Sequence, residues 1–356
     1  DPIGANNTRA TILANAPTAS SFTLVSAPDR HLIFFGTETT VGTSSSRDEM
    51  FIRFSDQESI DATTSYAPSA INTAGTQRLA DGSKIVGAIR GRDAIYIWTD
   101  TSLFIMRFVG APFTFSFQQV GTNCGLIGKN AAVEVDGSAY WMSENGFFRY
   151  TGKLESLPCL VEDYVYDDLN TVPKNHIYAG LNNLFGEVTW FYPGSGAASN
   201  NRSVTYNFMD STPERPVWTT SSLARSSWFD SSIFGKPHGT EYDSSATSDA
   251  TVGNTDGVTT YFEHETGQDQ IKAGARTGIS ASIQSGDFDI GQQGLQGDGE
   301  FMMKIRRVLP DFLSQTGDSV VTLNLRDFPN QTQASSSLGP FTISSSTNKI
   351  DTRARA

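Results

Sequence analysis

The chain has 356 residues, of which 38% are hydrophobic and 11% aromatic. That is enough to bury a large core and too much for a disordered chain. Only 18% are charged, with 26 basic against 38 acidic side chains and a net charge of −12, which argues against gripping duplex DNA by neutralising its phosphates. A negative wall that DNA slides past stays compatible with that balance, as does ordinary solubility charge.

The predicted elements are nearly all strands. Phe22-Thr23-Leu24-Val25 and Leu32-Ile33-Phe34-Phe35 flank a turn, and Met50-Phe51-Ile52-Arg53-Phe54 alternates before Ser55-Asp56. After an irregular stretch come Ile85 to Ile89, Ala94 to Trp98 and Leu103 to Phe108, short β-branched and aromatic runs bounded by Gly, Asp and Ser. A similar unit follows: Ala131 to Val135, a turn at Asp136-Gly137, Ala139 to Met142, and Phe147 to Tyr150. The only good helix candidate is Cys159 to Leu169, behind Pro158. Then come Ile177 to Gly180, Glu187 to Tyr192, Ser203 to Phe208 and a weaker copy at Val258 to Phe262.

Trp98, Trp141 and Trp190 sit at equivalent places in these units, spaced 43 and 49 residues apart. A repeat of about 40–50 residues built from three or four strands is the signature of a propeller blade. The expected fold is all-β: an irregular β-propeller over 22–267 with four to six blades, preceded by a connecting segment over 1–21. An irregular set of hairpins in a sandwich is the competing architecture. A linker over 268–278 leads to a smaller β-sandwich-like module over 279–356, with strands at Ala281 to Gln284, Phe301 to Ile305, Val320 to Leu325 and Phe341 to Ile343. The chain opens at Asp1 and stops on Arg353-Ala354-Arg355-Ala356 directly after a strand-like segment, as expected of a piece of a longer protein.

The search for chemistry returns little. His31, His176, His238 and His264 form no zinc spacing, and neither a nucleophile elbow nor a phosphate loop occurs. The Gly-rich run Gly291 to Gly299 lies between strands with no helix after it, so it is not expected to hold phosphate. Asp93, Asp100, Glu144, Glu187, Asp210 and Asp243 are the acids a glycosidase would draw on. Glu187 stands out, three residues before Trp190, yet residues three apart on a strand face opposite ways. Asp56-Gln57-Glu58 lacks the pattern of a calcium loop and reads as a solvated turn. Cys124 and Cys159 read as unpaired thiols, and the sequons at Asn6, Asn201 and Asn330 as chance hits. No catalytic, cofactor or metal residues are assigned. No apolar run approaches a membrane span.

Several strings occur in an order that resembles one family: Arg53-Phe54-Ser55-Asp56-Gln57-Glu58, Asn72-Thr73-Ala74-Gly75, Trp98-Thr99-Asp100, Cys124-Gly125-Leu126-Ile127, Trp141-Met142-Ser143, Leu157-Pro158-Cys159, the run from Phe185 to Pro193, and His264-Glu265-Thr266-Gly267. They resemble the tail hub, nozzle or packaged-DNA stabilisation proteins of short-tailed phages, over 22–267 and more loosely to Arg355. That resemblance implies a non-enzymatic β-propeller in a six-fold ring around the tail channel, below an adaptor ring and the portal. Tail fibres are a further implied partner, with genomic DNA passing close by. The implied place is the virion tail, assembled in the bacterial cytoplasm, where the ring retains DNA until ejection. A glycan-binding or glycan-cleaving propeller, lectin or tailspike-like, is the alternative, and an intracellular scaffold a third. The polar loops around 60–80 and 194–202 are expected to serve contacts between subunits or with the adaptor.

Overall fold

The computed structural model describes residues 13–27, 29–243, 258–272, 275–279, 281–286, 302–328, 331 and 334–355. The sequon at Asn6, the Gly-rich run from Gly291 to Gly299, and Asn330 and Thr332 of the third sequon lie outside them. The fold is all-β, with one seven-residue α-helix among the described residues. No helix among them is long and apolar enough to cross a membrane. The chain divides into two compact units, Asp1–Arg276 and Thr277–Ala356.

The first unit is a succession of antiparallel meanders. Sheet one holds β1 (Phe22–Val25), β2 (Leu32–Phe35), β3 (Phe51–Phe54) and β4 (Gly75–Arg78). Sheet two holds β5 (Ile85–Arg90), β6 (Ile95–Thr99), β7 (Ser102–Gly110) and β8 (Thr114–Thr122). Sheet three holds β9 (Ala132–Val135), β10 (Ser138–Ser143), β11 (Gly146–Tyr150) and β12 (Leu154–Leu157). The helix α1 (Glu162–Asp168) intervenes, its Val165 fully buried and the Tyr166 hydroxyl donating to Ser143 O at 2.6 Å. Sheet four then holds β13 (Tyr178–Asn182), β14 (Glu187–Tyr192), β15 (Arg202–Asn207) and β16 (Trp218–Ser221). Sheet five has β17 (Ser227–Phe229), β18 (His238–Asp243) and β19 (Val258–Glu263).

In sheets one to four the strands pair strictly in chain order, so the first strand is always one edge and the fourth the other. The first strands gather: β5 lies against β9, β9 against β13, and β13 against β17. A parallel bridge joins Asn130 to Tyr178 at the same place. Local chemistry sets the turns. Asp136 and Gly137 both take positive φ, 47° and 86°, the pairing that a tight hairpin between β9 and β10 requires.

Packing between sheets is aromatic. Trp98, Trp141 and Trp190 each occupy the fourth position of the second strand of sheets two, three and four, and each is fully buried. Phe35 holds that position in sheet one. Trp98 and Trp141 have ring centroids 5.4 Å apart, and Trp190 lies 5.0 Å from Phe147. Burying one such ring stabilises by about 3–5 kcal/mol, judged by the cost of truncating it to alanine. Indole N–H groups then tie sheet to sheet. Trp141 donates to Cys124 O at 2.8 Å, Trp190 to Ala131 O at 3.0 Å, Trp218 to Pro158 O at 2.8 Å and Trp228 to Leu181 O at 2.7 Å. Trp228 reaches across because Gly180 lies beneath its ring; a Cβ there would stand 2.6 Å from the indole. The Trp98 indole N–H is buried with no acceptor.

The hairpin of β20 (Asp269–Lys272) and β21 (Ala275–Gly278) occupies the stretch expected as a linker. In the second unit β22 (Lys304–Val308) pairs with β25 (Ile350–Arg355), and β23 (Ser319–Leu325) with β24 (Ser336–Ile343). Ala281 to Gln284, expected as a strand, is not one: its side chains are exposed, Ile283 almost completely, so its alternation has no apolar face to bury. The stretch over 60–80, expected as an irregular loop, contains β4, which pairs with β3.

Candidate functional site

The four histidines stand apart in role. His31 is fully buried, with Nδ1 2.7 Å from Ser55 O and its ring against Phe115. His176 and His238 partner Ala198 O and the Tyr261 hydroxyl. His264 belongs to a cluster around the buried Arg225. It packs on Trp228, with ring centroids 4.4 Å apart, and its Nε2 accepts from Arg225 Nε at 2.9 Å. Burial, the Arg225 charge and His238 push its pKa down to about 4, so the ring is neutral at pH 7. Arg225 is only 6% exposed, lies 4.2 Å over the Phe262 ring and reaches Glu241 at 3.4 Å. Burial pushes its guanidinium down to about 10, with Glu241 opposing.

A second buried charge cluster sits in sheet one. Glu38 is fully buried, and its carboxylate accepts from the Thr18 N–H at 3.0 Å, the Thr18 hydroxyl, the Ala19 N–H at 2.9 Å and the Gly42 N–H at 2.7 Å. Burial alone would raise its pKa; these donors together hold it below the usual value. The segment before β1 is thereby clasped to sheet one. Arg53, 3% exposed, donates to the carbonyls of Tyr66, Glu38 and Thr39.

The acids a glycosidase would need are scattered. Asp100 accepts from Ser83, Glu144 pairs with Lys174 at 2.5 Å, and Asp93 rims a separate pocket of about 200 Å³. Asp56 receives Thr73 and Gln57 donors, which lower its pKa and close a loop, while Glu58 pairs with Arg30. Asp243 ends β18; its side chain lies outside the described residues. Glu187 feels the charges of Asp210 and of Glu265, a group that sequence did not single out for binding. Burial first, then the charges of Glu265 and Asp210, raise the Glu187 pKa. Trp190, the expected sugar platform, is sealed in the core. Among the described residues no three His, Cys, Asp or Glu side chains are placed to hold one metal ion.

Cys124 and Cys159 are both free, and burial pushes their pKa values up to about 11 and about 12. Such thiols are inert as nucleophiles at neutral pH.

An opening of about 290 Å³ is bordered by the first strands of four sheets. Phe22 and Thr23 come from β1, Ala88 and Ile89 from β5, Lys129, Asn130 and Ala132 from β9 and its approach, Tyr178 and Ala179 from β13. The Lys129 ammonium lies 5.6 Å from the Phe22 ring centre. The lining offers one cation and one carboxamide and holds no carboxylate. No protein-family model matches the chain, and no curated protein matches it in sequence.

Proposed function

We propose that the first unit is an irregular β-propeller and that the protein is a structural subunit of a phage tail. In that role it forms a six-fold hub or nozzle ring that extends the DNA channel and retains packaged DNA until ejection. The observation that carries this reading is the succession of four-stranded meanders whose first strands border one opening. The ordered strings from Arg53 to Gly267 supply the link to tail proteins, and the net charge of −12 suits a wall that must not hold DNA. In a ring each subunit contact is heterologous and closes by rotation. Tail adaptor, portal-proximal proteins and tail fibres are the partners this role requires, and the virion tail is the location.

A glycan-cleaving propeller would draw on Glu187, whose raised pKa suits a general acid, but Trp190, the ring expected to stack a sugar there, is buried. Quantitative mass spectrometry of purified particles separates the two. Copy numbers of a six-fold ring relative to the portal support the tail subunit. Absence from particles, or three copies per spike, sinks it.

A further inference from the structure

The end of the β13–β14 hairpin gathers acceptors without matching donors. Asn182 closes β13 and stands opposite Glu187 of β14. Directly opposed residues place their Cβ atoms about 4.5–5.5 Å apart on one face of the sheet. Asn182 is 6% exposed, and its Nδ2 donates to Glu265 Oε1 at 3.2 Å. That bond fixes which end of the amide is oxygen. The amide Oδ1 is buried with no hydrogen-bond partner. Asp230 takes the Asn183 N–H at 2.8 Å, adding a further carboxylate to the same turn. Asn207, opposite Glu187 on β15, is spent on other contacts: Oδ1 accepts from Met209 and Asp210, and Nδ2 donates to Phe185 O. The buried cation of this region, Arg225, is turned to His264 and Glu241.

The unpartnered amide oxygen thus belongs to a side chain that reaches one carboxylate, Glu265, and stands opposite another, Glu187, and its lone pairs have no donor. A cation completes such a group. We propose that Asn182 Oδ1 and the carboxylates of Glu187 and Glu265 bind a calcium ion, with Asp210 and Asp230 strengthening the negative field around it. The donors are all hard oxygens, without imidazole or thiolate, which selects against zinc and copper. Calcium accepts carboxylate and amide oxygens in irregular geometry and fills its remaining positions with water, whereas magnesium demands a near-ideal octahedron. Two carboxylates and one amide make a weak site, with Kd of about 10⁻⁴–10⁻³ M. Because Glu265 follows β19 while Asn182 and Glu187 belong to sheet four, the ion fastens the chain leaving sheet five to sheet four. The site does not depend on the tail role and holds for either reading of the function.

Trp228 supplies a readout, since its indole N–H bonds Leu181 O, next to Asn182. Terbium added to the full chain should give emission sensitised by indole excitation, and calcium should displace it in the stated range. Glu187→Gln and Glu265→Gln should each weaken terbium and calcium binding at least tenfold. Glu144→Gln, at an acid paired with Lys174, should leave both unchanged. Calcium should raise the melting temperature of the parent protein by several degrees and that of Glu187→Gln by none. Glu265→Gln alters an exposed turn and keeps the test valid if Glu187→Gln fails to fold. Absence of calcium-displaceable emission and of binding heat at about 10 mM calcium, above the weakest natural range, overturns the proposal. So does binding by both variants as tight as the parent's. A Glu187→Gln protein that melts higher while calcium leaves the parent unmoved would show a proton on Glu187 in the ion's place, and also overturns it.

Discussion

Sheets two to four and the two sheets that flank them are held by different physics. The middle three share one aromatic core, with Trp98, Trp141 and Trp190 fully buried and two of their indoles tied to backbone carbonyls. Sheets one and five add buried charge: Glu38 and Arg53 in the first, beside an apolar core that it shares with sheet two, and Arg225 with the half-buried His264 and Glu241 at the fifth. Apolar burial and neutral hydrogen bonds do not titrate, whereas buried ionisable groups tie folding to pH. The middle of the unit is therefore expected to be indifferent to acid, and its ends responsive.

The largest effect tests the middle. Trp190→Ala should cost about 3–5 kcal/mol, read as a drop in the urea midpoint below the parent's that is the same size at pH 5 and pH 7. Next, Glu38→Ala should cost about 3–4 kcal/mol at pH 7, because four donors lose their acceptor and Arg53 loses its buried countercharge. That loss should shrink in acid. The Glu38 pKa is lowered on folding, so its contribution is full above the unfolded value near 4.5 and disappears as pH falls through the folded one. A Glu38→Ala deficit that stays constant into strong acid would break the comparison.

A finer comparison lies within the middle. Trp141→Phe strands the Cys124 carbonyl, whereas Trp98→Phe removes an N–H that has no acceptor. Trp141→Phe should therefore cost about 1–2 kcal/mol more than Trp98→Phe. Equal costs would mean that the indole bonds add nothing to packing. The smallest effect is at the fifth sheet. His264 has a folded pKa of about 4 against 6.5 when unfolded, so the unfolded chain takes up the proton first. Stability should be whole above pH 6.5 and fall by about 1–2 kcal/mol between 6.5 and 4, after allowing for solvent screening of the partly exposed ring. Replacing His264 with Gln, which keeps an acceptor for Arg225, should flatten that slope in a pH series of melts.

What could be read from sequence follows the same division between inside and edge. In the four-stranded sheets the first three strands carry apolar runs, buried most fully in the second and third, and those are the strands the pattern showed. The fourth strands β4, β8, β12 and β16 escaped notice, because they are largely solvated and carry polar residues. Gly75–Arg78 and Trp218–Ser221 are exposed at all but their first residue. The equivalence of Trp98, Trp141 and Trp190 was legible because each fills the same strand position; the indole acceptors, backbone carbonyls from distant residues, leave no trace in sequence. Glu38 and Arg225 were invisible for the opposite reason: a charged residue is normally exposed, and only the folded chain shows one buried. Asn182 drew no notice because the missing partner of its amide oxygen is a fact of geometry.

The four indole bonds share a direction: Trp141 reaches back to Cys124, Trp190 to Ala131, Trp218 to Pro158 and Trp228 to Leu181. Every donor lies later in the chain than its acceptor. On a ribosome adding about 5–20 residues per second, each sheet would emerge with its anchor already in place, so the unit can be laid down in order without waiting for its C-terminal half.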